Sequence, residues 1–97
     1  MGARKKKDPK SNAKEEMHKL VGEFLKKKRA LSGVTQQYIA DSLELSSAQY
    51  ISNIERGISP PSVEYMKAMI SLCDVNPQEL AFVLSKATSD FYLKELS

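Results

Sequence analysis

The chain has 97 residues, of which 41% are hydrophobic and 28% charged, and a net charge of +3. That length accommodates one hydrophobic core and leaves little for a second. One cysteine and one histidine, Cys73 and His18, exclude an intrachain disulfide and a His/Cys zinc cage, and no apolar run approaches the roughly 20 residues of a membrane span or the roughly 7–15 of a secretory signal core.

Residues 1–12 carry Arg4, Lys5, Lys6, Lys7 and Lys10 against Asp8 and show no apolar period. With Asp8-Pro9 breaking any helix, they read as a disordered basic arm, a common way of meeting nucleic-acid phosphates. The equally plain reading is a solvated tail. From Met17 the pattern changes: Met17, Leu20, Val21, Phe24, Leu25 and Leu31 recur at helical spacing, which predicts an amphipathic helix over 13–31. It carries six basic residues against three glutamates, whereas residues 30–97 hold four basic residues against eight acids. The positive charge is thus concentrated at the start of the chain. Ser32-Gly33 ends the helix, with Gly33 suited to a left-handed cap.

Thr35 caps a second helix over 36–43 that buries Ile39, Ala40 and Leu43. Ser46 and Ser47 are candidate caps for a third helix over 48–56, with Ile51 and Ile54 inward and Gly57 as its stop. Ile58-Ser59-Pro60-Pro61 must be loop, because two prolines fix two φ angles and remove two donors. Ser62 caps a fourth helix reaching Cys73, with Val63, Met66, Met69, Ile70 and Cys73 inward. Asn76-Pro77-Gln78-Glu79 combines a cap, a first-turn proline and a capping-box glutamate. The fifth helix continues through Leu80, Val83, Leu84 and Ala87, and Thr88-Ser89-Asp90 offers an interruption before Phe91 to Leu96. No stretch alternates as a strand does. The expected fold is all-α: a compact five-helix bundle over 13–87, preceded by the arm and followed by an 88–97 extension.

The informative stretch is Thr35 to Gly57. Two short helices separated by a few residues have apolar faces too small to fold alone. They must pack at a steep angle against neighbours, and the second then leaves one side open: a helix-turn-helix. With Ile51 and Ile54 inward, Ala48, Gln49, Ser52, Asn53 and Arg56 lie outward or on the flanks. Gln49 and Asn53 are i, i+4 neighbours, and such carboxamides can bind adenine bidentately in a major groove. Tyr50 is a candidate for base stacking or a thymine methyl, and Ala48 is short enough to admit a close backbone. The first N–H groups of both helices, capped by Thr35 and Ser47, are candidate phosphate donors. Arg56 either contacts a phosphate or neutralises the end of its helix.

Thr35, Gln36, Ile39 and Ala40, followed by Ile51, Ser52, Ile54, Glu55, Arg56 and Gly57, resemble the Cro/phage-repressor helix-turn-helix, or xenobiotic-response-element, family. Leu25 to Arg29, Gly33, Pro60-Pro61-Ser62 and Leu72 to Leu80 fit its flanks, so the resemblance covers roughly residues 20–82. It implies a lambda-repressor-like fold and a sequence-specific, DNA-binding transcription regulator. It further implies that Gln36 clamps a backbone phosphate, that Ser47 to Asn53 face the groove with Gln49 and Asn53 reading bases, and that Arg29 and Glu55 form a structural ion pair. The chain departs from the pattern in having Glu44 where glycine is usual, and in a turn one residue longer than the commonest form. Either Ala48 or Gln49 can be the first base-reading residue.

No phosphate loop, nucleophile elbow or metalloprotease motif occurs, so no enzymatic activity, cofactor or metal is expected. Phe82, Phe91, Tyr92, Leu93 and Leu96 exceed what a small core absorbs. They either fold back or form a homodimer surface that places two recognition helices on a pseudo-palindromic operator. The leading expectation is a cytoplasmic, nucleoid-associated regulator, a repressor acting as a homodimer on double-stranded DNA. A toxin or polymerase is a candidate protein partner. The competing reading is an antitoxin or adaptor of the same fold, favoured by the acidic character of residues 30–97. A restriction–modification controller and a phage-type switch are variants of the first.

Overall fold

The computed structural model describes residues 9–97, with side chains from Ala13 onward, so the expected arm lies outside the described residues as far as Asp8. The described residues form five α-helices: α1 (Pro9–Leu31), α2 (Gln36–Ser42), α3 (Gln49–Glu55), α4 (Val63–Leu72) and α5 (Pro77–Leu96). The described α1 includes the four residues before the expected boundary. Pro9 is the first described residue and already lies in α1, so it does not break the helix there, contrary to expectation.

Three helices end in the same way. At the end of α1, Gly33 N–H donates to Ala30 and Val34 N–H to Arg29. At the end of α2, Glu44 donates to Asp41 and Leu45 to Ala40; at the end of α3, Gly57 donates to Ile54 and Ile58 to Asn53. Each is a Schellman motif with a left-handed residue just past the helix. Two of those residues are Gly33 and Gly57, with φ of 70° and 79°, and the third is Glu44, with φ of 58°. The departure at position 44 is accommodated by placing glutamate in the conformation glycine would adopt.

At the helix starts, Thr35, Ser62 and Asn76 accept from Tyr38, Tyr65 and Glu79 N–H respectively. α3 differs from expectation. Its cap position is Ala48, which makes no side-chain cap bond, and Ser47 Oγ accepts the Gln49 N–H at 3.2 Å instead.

α1 packs along α5 and against α3, while α2 packs on α3 and α4. The core is Val21, Leu25, Ile39, Ala40, Ile51, Ile54, Tyr65, Met69, Cys73, Val75, Leu80 and Ala87. Leu20, Leu31 and Val63, expected inside, are exposed. In α4 the inner stripe is Tyr65, Met69 and Cys73, spaced i, i+4, i+8, a register that puts Val63 on the outside. α5 runs unbroken through Thr88-Ser89-Asp90. Ala87 is buried there, Lys86 pairs with Asp90 one turn on, and Lys94 pairs with Glu16 of α1. Packing on α1 thus holds a segment of modest helix propensity in a helix.

Gly22 explains how closely α1 approaches α3. A Cβ there would lie 2.3 Å from the Ile54 carbonyl oxygen and 2.9 Å from that of Glu55. At Gly57 a Cβ would lie 2.8 Å from Lys19 Cα. Two glycines therefore let the end of α3 and its following turn rest directly on the α1 backbone.

Candidate nucleic-acid interface

Ile51 and Ile54 are fully buried, which fixes the rotation of α3. Gln49 and Arg56 are exposed; Ser52 and Asn53 are half-buried on its flank. Gln49 Nε2 donates to Asn53 Oδ1 at 2.9 Å, and Arg56 Nη2 donates to the same oxygen at 3.0 Å. The three side chains form one connected row. Its hydrogen-bonding capacity follows by counting. Asn53 Oδ1 has two lone pairs and two donors, so the Asn53 amide presents only Nδ2–H outward. Gln49 keeps its oxygen and one N–H, the pair that adenine recognition needs.

Behind the row, Glu55 is buried at 4% exposure. Arg29 Nε donates to Glu55 Oε2 at 2.5 Å and Arg29 Nη2 to Oε1 at 3.1 Å. The remaining Arg29 nitrogen donates to the Val34 carbonyl at 2.8 Å. One arginine thereby ties α1, the α1–α2 turn and the end of α3 together. Its hydrogen bonds to Glu55 raise the arginine pKa against the opposing effect of burial.

Gln36, at the start of α2, is half-buried and donates from Nε2 to Glu55 Oε1 at 2.8 Å. Its amide belongs to the Arg29–Glu55 cluster, an attachment that local sequence spacing does not reveal. Tyr50 is half-buried and packs against the core. Its hydroxyl accepts the Ser62 N–H at 3.1 Å and so anchors the start of α4. Ala48 also lies half-buried against the core, and Ser47 is exposed. The structure therefore brings Gln49, Asn53 and Arg56 together on the open face, and places Gln36, Tyr50 and Ala48 in its support.

Tyr65 escapes the helical pattern of α4 as read from sequence. It is fully buried, and burial, reinforced by Glu55, pushes its phenol well above the ordinary tyrosine range. The only sequence signal is its i, i+4, i+8 relation to Met69 and Cys73.

A family model described as helix-turn-helix matches residues 25–80. The chain belongs to the Cro/phage-repressor type of helix-turn-helix family. No curated protein and no solved structure matches it. The helix-turn-helix match covers α2, α3, α4 and the Arg29–Glu55 cluster, and the five helices have the lambda-repressor-like all-α arrangement. This helix-turn-helix protein is a DNA-binding transcription regulator in general type. Among its described residues no helix is long and apolar enough to cross a membrane.

Proposed function

We propose that the chain binds a pseudo-palindromic operator as a homodimer and represses transcription by occlusion, with α3 in the major groove. The connected Gln49–Asn53–Arg56 row carries this reading. Gln49 takes the adenine, using its free oxygen and N–H. Asn53 donates from Nδ2 to an acceptor such as guanine N7 or O6 or thymine O4, and Arg56 meets the flanking phosphate. Gln36 and Ser47 contribute phosphate contacts at the starts of α2 and α3, and Tyr50 and Ala48 hold α3 at the required depth. Arg29 and Glu55 fix the angle between the helices.

The dimer reading rests on α5. Phe82, Leu93 and Leu96 remain exposed although the helix packs on α1. At about 100° per residue, they fall within about 60° of one another around the axis, and Tyr92 flanks them. An apolar stripe on a short regulator, whose recognition helix needs a second half-site, is best covered by a second copy.

Selection of bound duplexes from a random library tests both parts. The expected outcome is an inverted repeat with half-site centres about one helical turn apart, roughly 34–36 Å. Gln49→Ala should then lose about 1–3 kcal/mol on that site and relax one base position. Leu93→Asp, on an exposed position, should halve the sedimenting mass and weaken operator binding. Failure to enrich any duplex would favour the antitoxin or adaptor reading.

A further inference from the structure

Beside α3 lies a cleft of about 720 Å³ lined by Lys14, Glu15, His18 and Lys19 of α1, by Arg56, and by the turn from Gly57 to Pro60. Three permanent cations and an imidazole face one carboxylate there. Elsewhere four cations are neutralised: Arg29 pairs with Glu55, Lys28 with Glu79, Lys86 with Asp90 and Lys94 with Glu16, while Lys26, Lys27 and Lys67 stand outside the cleft. Among the described residues, no ion pair or hydrogen bond engages the Lys14, His18 or Lys19 side chains. The walls are fixed, because Gly57 lets the turn rest on Lys19. Arg56 belongs both to this cleft and to the base-facing row, through its bond to Asn53. The cleft is therefore continuous with the face assigned to the major groove.

We infer that this cleft is a second phosphate-binding site, in which Lys14, Lys19, Arg56 and protonated His18 hold the sugar–phosphate strand flanking the groove read by α3. The inference rests on the proposed DNA-binding function and adds α1 to the contact surface. Fixed concavity matters here: cations already gathered against their mutual repulsion gain most when an anion enters. The same crowding acts on His18, whose pKa in the free protein is lowered by burial and then by Lys14. Glu15, Lys19 and Arg56 are the other charged groups lining the cleft, and the turn from Gly57 to Pro60 adds none. A phosphate beside the imidazole reverses the balance and raises its pKa. Binding then takes up a proton, and affinity strengthens as pH falls through the imidazole range.

The test uses the full chain and the duplex it selects, with affinity read by fluorescence anisotropy across a salt series. Lys14 and Lys19 are exposed, so Lys14→Gln/Lys19→Gln should fold normally by circular dichroism. The salt slope is expected to fall by between about one and two in the double variant, with base preference unchanged. His18→Gln is expected to remove most of the strengthening at low pH while leaving affinity at about pH 8 within twofold. A double variant that binds with unaltered slope overturns the cleft and leaves the DNA-binding function standing. Absence of binding to any duplex by the unmodified chain overturns both.

Discussion

Replacing Glu44 with glycine should stabilise the protein. Glu44 occupies the left-handed position of a Schellman motif, with φ of 58°, and its side chain is exposed. A non-glycine residue in that conformation costs about 1–2 kcal/mol. Glycine removes this strain but adds about 0.5–1 kcal/mol of unfolded-state entropy. The difference leaves a net gain of about 0.5–1 kcal/mol, or roughly 2–8 °C in Tm for a domain of this size. The structure also supplies a matched control. Gly33 holds the equivalent position after α1, with φ of 70° and nothing within 4 Å of where a Cβ would stand. Gly33→Ala therefore incurs backbone strain without a clash, partly offset by lower unfolded-state entropy, and should cost about 0.5–1 kcal/mol. Urea unfolding followed by far-UV circular dichroism reads both changes. Opposite signs are expected for the two variants, with unchanged duplex affinity for Glu44→Gly because the turn keeps its shape. A loss of stability in Glu44→Gly, or none in Gly33→Ala, would refute the reasoning from backbone conformation.

Two further substitutions examine the joints between helices. Gly22→Ala forces a methyl to within 2.3 Å of the Ile54 carbonyl oxygen, and should cost about 1–3 kcal/mol as α1 is pushed off α3; an unchanged urea midpoint would contradict the close approach. Glu55→Gln removes the carboxylate that Arg29 and Gln36 share, and should cost about 3–5 kcal/mol because it leaves a partly buried guanidinium unpaired. Adding Arg29→Gln to that variant should cost less than the single changes sum to, and strict additivity in the double-mutant cycle would show that the pair is not coupled.

Most of the helical framework is legible because the local signals agree. Thr35, Ser62 and Asn76 cap as their types suggest, and Gly33 and Gly57 stop their helices in the left-handed conformation. The misreadings occur where local and tertiary forces diverge. Pro9 reads as a breaker from its type alone, yet it lies within the described α1. Thr88-Ser89-Asp90 has weak helix propensity, but the Lys94–Glu16 pair and buried Ala87 keep α5 continuous against α1. Gly22 carries no turn signature at all. Its necessity arises only when the end of α3 is laid across it.

The site divides in the same way. Gln49, Asn53 and Arg56 are readable as outward residues once Ile51 and Ile54 set the inner face, since helical geometry alone decides it. Gln36 and Tyr50 are not, because their partners Glu55 and Ser62 lie 19 and 12 residues further along the chain. The division has a chemical consequence that residue types conceal. Read singly, Gln49 and Asn53 are equivalent carboxamides. Joined through one oxygen, they differ: the Asn53 oxygen is saturated by Gln49 and Arg56, and only Gln49 retains an acceptor beside a donor. Arg56 is thus a positioning residue as well as a cation. By holding the Asn53 oxygen it turns Asn53 into a donor, and by lining the neighbouring cleft it joins the Gln49–Asn53 row to that cleft.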